Sequence, residues 1–205
     1  MRKSRAEMIA ETRSKLISAA REAFAREGYA NASMDDFTAA VGLTRGALYH
    51  HFGNKIGLFL AVIDQIDAEI DEKIMAVTKD MHSEWECFIM ESRMYLLCML
   101  DPEIQQILMR DGPAILGDIS SWPSQNKYLD QTIAKIKSLM DHNVIYCCDP
   151  AALTRQINGA LYSAAFGIAN SDNPKQTFEH AWQAFSLLMK GLCQNPKKSV
   201  IPTTL

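Results

Sequence analysis

The stretch that most constrains the fold lies near the N-terminus, where a glycine separates two short helical segments. Ser33 can cap a first helix over 34–41, because its hydroxyl can accept a free backbone N–H. Gly42 can end that helix in the left-handed conformation, which other residues adopt only at a cost. Thr44 can cap a second helix over 45–52. The spacing predicts a helix-turn-helix unit whose turn spans about four residues.

The second helix carries the side chains that we expect to face DNA. Leu48 and Phe52 lie four residues apart, so both can pack inward. In helix-turn-helix units the start of the second helix reads base edges in the major groove, and flanking groups hold phosphates. The predicted DNA contacts are Ser33, Thr44, Arg45, Gly46, Ala47, Tyr49, His50 and Lys55.

Some of these predicted contacts suit bases and others suit phosphates. Arg45 can make a bidentate contact to guanine, which contributes about 1–3 kcal/mol of discrimination. Gly46 has no side chain, so the helix can approach the groove closely. Tyr49 and His50 suit phosphate contacts, and Lys55 begins the next helix, where its ammonium and free backbone N–H groups can share one phosphate. Short helix pairs with a glycine turn also occur in proteins that do not bind DNA, so the spacing alone leaves that alternative open.

The residues of this stretch resemble the DNA-binding domain of the TetR/AcrR family of bacterial transcriptional regulators. Phe37, Thr38 and Val41 replace the family's usual Ile, Ala and Ala on a packing face. The matching residues are Gly28, Gly42, Leu43, Thr44, Gly46, Leu48, Tyr49, His51, Phe52, Lys55 and Leu58.

The resemblance implies an all-α fold of about nine helices. A three-helix DNA-binding domain over 1–54 would be followed by a ligand-binding and dimerisation domain over 55–195, and we expect a disordered tail over 196–205. Apolar spacing also predicts a first helix over 7–27 and a long fourth helix, which Lys55 begins and which the apolar residues from Leu58 onward continue; this helix would join the two domains. The later helices are predicted over 82–100, 102–109, 125–141, 150–169 and 175–192, with a break over 111–117.

Charge is distributed unevenly along the chain. Through residue 60, nine Lys and Arg stand against six Asp and Glu, whereas the remainder holds twelve against eighteen. A basic N-terminal part on an acidic body is typical of a protein that offers one end to nucleic acid.

Several other classes of protein are disfavoured by what the sequence lacks. No apolar run approaches the roughly 18 residues that a membrane span needs, and no signal peptide is evident, so we expect a cytoplasmic protein with no membrane partner. The five cysteines show no C-x-x-C pair that would indicate a zinc site. No catalytic constellation, phosphate loop or metal-ligand spacing occurs. We therefore predict no enzyme activity, no cofactor and no metal.

The last two predicted helices carry apolar stripes with interleaved small residues. In the family that the chain resembles, such helices pair with those of a second subunit as a four-helix bundle, which implies a homodimer. The alternative is that both stripes close the core of a single chain. The predicted interface residues are Leu153, Ile157, Leu161, Ala165, Phe178, Trp182 and Phe185.

The C-terminal part is also rich in Met and aromatic side chains, which can line an adaptable apolar pocket or fill a core. The resemblance implies a repressor that leaves a palindromic operator when a small apolar or amphipathic effector binds. The alternative is a helical small-molecule-binding protein without specific DNA binding. The predicted pocket residues are Trp85, Met94, Tyr95, Met109, Trp122, Tyr162 and Phe166.

Overall fold

The computed structural model describes residues 4–194, apart from the side chains of residues 120 and 123–127. Within that range the chain forms nine longer helices, one short 3-10 helix (Ile119–Ser121) and one isolated antiparallel bridge, so the predicted all-α class is confirmed. The predicted tail over 196–205 lies outside the described residues. The helices are α1 (Arg5–Asn31), α2 (Met34–Ala40), α3 (Arg45–Phe52), α4 (Lys55–Thr78), α5 (Glu84–Cys98), α6 (102–116), α7 (Pro123–Asp141), α8 (Pro150–Ala169) and α9 (Pro174–Leu192).

The chain forms two compact units. The first contains the described residues up to Ala68 together with Pro102–Ile115, and the second contains Glu69–Asp101 and the described residues from Leu116 onward. Helices α1, α2 and α3 belong to the first unit, and α5, α7, α8 and α9 to the second. The domain boundary expected between residues 54 and 55 stays a prediction.

An aromatic cluster forms the centre of the first unit. The fully buried ring of Phe24 in α1 meets Phe37 of α2 and Phe59 of α4 edge-on, with centroid distances of 5.4 and 5.2 Å. Tyr29 stacks on Phe24 at 5.5 Å and also meets Phe59 at 5.0 Å. Leu48 of α3 is fully buried as well. Because aromatic pairs add to the free energy gained by burial, this cluster fixes how the short helices pack on α1.

The glycines and the capping residue of the helix-turn-helix lie where the sequence predicts them. Gly28 interrupts α1 with φ 76°, and Gly42 follows α2 with φ 65°. The N–H of Leu43 donates to Thr38 O at 2.8 Å, which satisfies one of the carbonyls left free at the end of α2. At the start of α3 the Thr44 hydroxyl accepts the N–H of Ala47. The predicted bounds of α3 are confirmed.

Helix α6 departs from the sequence prediction. The helix was expected to stop at Met109, but it continues through a π-helical segment, Gln105–Asp111, into a last turn, Gly112–Leu116. The N–H of Gly112 donates to Ile107 O, five residues back. Pro113 has no N–H for an ordinary helical bond, and the wider turn before it lets the helix keep its course.

A search of the described helices finds no candidate membrane span.

In the second unit, α8 packs against both α7 and α9, and α5 packs against all three. The core is built from large apolar side chains of the four helices, namely Trp85, Phe88, Ile89, Leu96, Ile136, Ile157, Ile168, Phe178, Trp182 and Phe185.

Replacing Gly57 by Ala should destabilise the first unit. A Cβ at this position would lie 2.0 Å from the backbone O of Phe52, so the junction between α3 and α4 would have to shift. We expect a loss of about 1–3 kcal/mol in the free energy of unfolding, as for other overpacked sites. Urea unfolding followed by circular dichroism measures it.

The matched control is Gly46→Ala in the same unit, where the nearest atom would be Thr44 Oγ1 at an ordinary 3.7 Å. Alanine favours helix over glycine, so this variant should be as stable as the parent or up to about 1 kcal/mol more stable. Equal stability of the Gly57→Ala variant and the parent would contradict the steric argument.

Candidate nucleic-acid interface

Helix α3 is anchored by one face and presents the other to solvent. Leu48 is fully buried, whereas Thr44, Arg45, Tyr49 and His50 are exposed. Of the other predicted DNA contacts, Gly46 is exposed, and Ser33, Ala47 and Lys55 are half-buried. The structure therefore places most of the predicted contacts on the outer surface of α3 and its flanks.

Arg45 lies beside two groups on this surface. Its guanidinium is 5.7 Å from the centre of the Tyr49 ring and 3.5 Å from the Tyr49 hydroxyl. The hydrogen bond with Tyr49, followed by the charge of Asp35, raises the pKa of Arg45. The ion pair with Asp35 is long, at 3.5 Å, and both side chains are more than half exposed. Such a pair is weak, so Arg45 can exchange it for a partner on DNA at little cost.

Lys55 has a role within the fold that the sequence did not indicate. Its ammonium donates to Tyr29 O and lies 4.3 Å from the centre of the Tyr29 ring. Desolvation lowers the pKa of Lys55, opposed by the charge of Asp111. These contacts join the first turn of α4 to the end of α1. An ammonium has three donors, so Lys55 keeps donors for a phosphate while it binds Tyr29. The phosphate contact itself stays a prediction.

Asp111, which comes just before the Gly-Pro pair of α6, also binds Tyr29. One carboxylate oxygen accepts the N–H of Tyr29 at 2.7 Å, and the other accepts Gln106 Nε2 at 3.2 Å. Nearby, Arg21 of α1 donates two 2.9 Å hydrogen bonds to the carboxylate of Glu103. Sequence reasoning missed these links, because they join residues about 80 positions apart and no local pattern marks them.

The predicted pocket residues are divided between the two units. Tyr95 and Tyr162 meet at 6.4 Å in the second unit. Trp85 and Trp122 are buried in that unit, where Trp122 Nε1 donates to Gly117 O. Met94 and Phe166 are half-buried there. Met109 is buried in the first unit.

The predicted interface residues lie mostly inside a single chain. Leu153 and Leu161 are half-buried, and the other five are buried, namely Ile157, Ala165, Phe178, Trp182 and Phe185. On the other side of α9, Leu187 and Leu188 are 64% and 62% exposed. These two leucines, which the sequence prediction did not include, are the large apolar side chains of α9 that a second subunit could bury.

Two family models match separate stretches of the chain. Residues 16–62 match the model of the bacterial regulatory proteins of the tetR family. Residues 85–192 match the model of the tetracyclin repressor-like C-terminal domain, which by itself accounts for more than half of the chain.

Individual proteins resemble the chain over most of its length. A TetR-family transcriptional regulator from Pectobacterium atrosepticum is 42% identical, with a TM-score of 0.81, over 95% of this chain and all of that one. The Tn10 TetC protein of Escherichia coli is 26% identical over 90% of this chain and 95% of its own length. RolR, solved in complex with resorcinol, shares the fold at 17% identity, with a TM-score of 0.68 over 97% of this chain and 98% of that one.

Replacing Asp111 by Ala should destabilise the first unit. The change removes the acceptor for two donors in a partly buried site, the Tyr29 N–H and Gln106 Nε2. We expect a loss of about 1–3 kcal/mol in the free energy of unfolding, measured by urea denaturation. Asp64→Ala, which removes an exposed carboxylate from α4 in the same unit, should change stability by less than about 0.5 kcal/mol. Equal effects of the two changes would show that the Asp111 hydrogen bonds contribute nothing specific.

Proposed function

Because the chain belongs to the TetR family of DNA-binding transcriptional regulators, we propose that it is a ligand-responsive repressor. In this proposal a homodimer binds a palindromic operator and leaves it when a small-molecule effector binds. The family regulates transcription by binding and is not enzymatic. The observation that carries the proposal is the outer surface of α3, where Arg45, Tyr49 and His50 are exposed on a helix anchored by the buried Leu48.

On α3, Arg45 is suited to contact bases, whereas Tyr49 and His50 are suited to contact phosphates. Arg45 occupies the first turn, next to the Thr44 cap, where helix-turn-helix proteins contact base edges. Its fork of N–H donors matches O6 and N7 of guanine. Tyr49 and His50 come one turn later and suit phosphates, which position the protein without reading sequence.

The proposal includes a homodimer, because one short helix contacts too few bases to be specific and a twofold dimer reads a near-palindrome. The exposed Leu187 and Leu188 of α9 are suited to a self-complementary apolar contact. Gly159 and Gly167 of α8 are also exposed, and small residues let two helices approach closely. We therefore place the interface on the exposed faces of α8 and α9.

In this proposal a small-molecule effector controls operator binding. A ligand shifts the protein from its operator only as far as it prefers the conformation that does not bind DNA. RolR, which shares this fold, was solved with resorcinol, and this supports a search for a small-molecule effector here. The predicted residues Tyr95, Tyr162 and Phe166 in the second unit stay candidates for its pocket.

Replacing Arg45 by Ala should lower the affinity for operator DNA and relax the sequence preference. The loss should be about 1–3 kcal/mol on the operator, with a smaller loss on random DNA. Fluorescence anisotropy on the DNA upstream of the protein's own gene, against random DNA and across a salt series, measures both. If that fragment does not bind specifically, a site selected from random sequences replaces it.

The matched control is Lys137→Ala, which removes a positive charge from an exposed position of α7 in the second unit, outside the α8 and α9 faces proposed as the interface. This variant should bind both DNAs like the parent. Equal losses on specific and random DNA for Arg45→Ala would contradict base reading by that residue. Failure of the parent protein to prefer any selected sequence would favour the ligand-binding alternative.

Replacing both Leu187 and Leu188 by Glu should dissociate the dimer. Each leucine would contribute about 1.5–3 kcal/mol on full burial, and twofold symmetry repeats the contact. Size-exclusion chromatography with light scattering should show the variant as a monomer that keeps the circular dichroism spectrum of the parent. Tyr146→Glu, a control at a 60% exposed residue outside α8 and α9, should remain a dimer. A dimer in both variants would place the interface elsewhere.

A further inference from the structure

A groove of about 450 Å³ runs between the second half of α5 and the first turns of α9. Arg93 of α5 lies on its wall, together with the apolar side chains of Leu97, Leu100 and Phe178. We propose that this groove binds the carboxylate of a small organic acid and that Arg93 is the residue that holds it. This inference gives the effector a second candidate site, whose lining does not include Tyr95, Tyr162 or Phe166, and names its chemical class. It rests on the proposed ligand-responsive function.

The first observation is the state of the Arg93 side chain. Arg93 is only 6% exposed, although arginine is rarely buried unless it is paired. Its Nε and Nη1 are buried, and neither has a hydrogen-bond partner among the residues that the structure describes. A buried cation whose N–H groups have no acceptor is costly for the fold. The groove borders this side chain, so an anion bound in it would compensate the charge of the guanidinium.

The aromatic neighbours of Arg93 do not replace such acceptors. Its guanidinium lies 5.8 Å from the ring centres of both Phe178 and Trp182. This is close to the 6 Å limit at which a cation and a ring still attract each other appreciably. Guanidinium donors lie in the plane of the group in a fixed fork, and that geometry matches the two oxygens of a carboxylate.

The remaining lining residues favour an organic monoanion. Lys175 adds a second positive charge, and Glu179 adds one negative charge, so the three ionisable side chains of the groove carry a net charge of one positive unit. Asn173 and Gln176 also line the groove, but they bond to each other and cap α9. Leu97, Leu100 and Phe178 would contact the apolar part of the ligand. A carboxylate with a hydrocarbon or aryl body fits this arrangement.

The test is isothermal titration calorimetry of the full chain with acetate, benzoate and octanoate at up to millimolar concentration. Benzamide, which has the size of benzoate but no charge, serves as the matched neutral probe. We expect at least one carboxylate to bind and benzamide to bind at least tenfold more weakly than benzoate. Arg93→Met, which keeps the length of an apolar stem, should weaken binding of the best carboxylate by about ten- to a hundredfold.

Three further variants separate this role from a structural one. Lys175→Met should weaken carboxylate binding several-fold, and it keeps the test decisive if the Arg93 variant does not fold. Glu179→Gln should tighten binding several-fold, because it removes a like charge from the groove. Lys190→Met, at an exposed position of the same helix outside the groove, should bind as the parent does.

No binding of any of the three carboxylates to the parent would overturn the inference, as would unchanged binding to a folded Arg93→Met variant. Operator binding is measured separately by anisotropy, so the two proposals fail independently. Specific DNA binding without carboxylate binding would remove this site and leave the proposed regulator. Carboxylate binding without specific DNA binding would keep the site and overturn the proposed function.

Discussion

The hydrogen bond from the Tyr29 N–H to the Asp111 carboxylate, at 2.7 Å, lies where three helices of the first unit come together. Gly28 breaks α1 immediately before it with a positive φ, which turns the next N–H out of the helix and toward Asp111. The φ of 76° at Gly28 favours glycine, and a Cβ there would lie 3.3 Å from Gln106 Nε2. The carbonyl and ring of Tyr29 then receive Lys55 at the start of α4.

This chain of contacts connects α6 to the surface of α3. Lys55 follows the end of α3 by only three residues, and the intervening turn is tight, since Gly53 has φ 75° and Asn54 caps the Gly57 N–H at 2.8 Å. A movement of α6 that withdrew Asp111 would leave the Tyr29 N–H without its acceptor and would disturb the Lys55 contact. These contacts therefore connect the end of α3 to a residue more than fifty positions later in the chain, in a helix with a π-helical segment. Such segments are often found at functional positions of helices.

Local signals predicted most of the fold, because punctuating residues act within one turn of the backbone. Gly42 marked the end of α2, Thr44 marked the start of α3, and Pro150 marked the start of α8. The break expected after Met109 was wrong, because a proline normally ends a helix and the sequence gives no sign that a π turn will accommodate it. Periodicity marks which face of a helix is apolar, but it does not say what covers that face. For this reason the stripe through Phe178 and Trp182 turned out to lie in the core of the chain.

Three arginines show why the sequence predicted only part of the site. Arg21, Arg45 and Arg93 all occupy helices. The helix-turn-helix pattern singles out Arg45, but no local pattern separates Arg21 from Arg93. Arg21 forms a partly buried bidentate bridge with Glu103, and Arg45 is more than half exposed beside Tyr49. Arg93 is buried, and its Nε and Nη1 have no hydrogen-bond acceptor among the residues that the structure describes. Burial decides what each charge can do. A paired arginine stabilises the fold, and an exposed one is free to contact DNA. A buried and unpaired one leaves a free-energy cost that a ligand with the opposite charge can offset, and this gives a small organic acid a physical basis for selective binding.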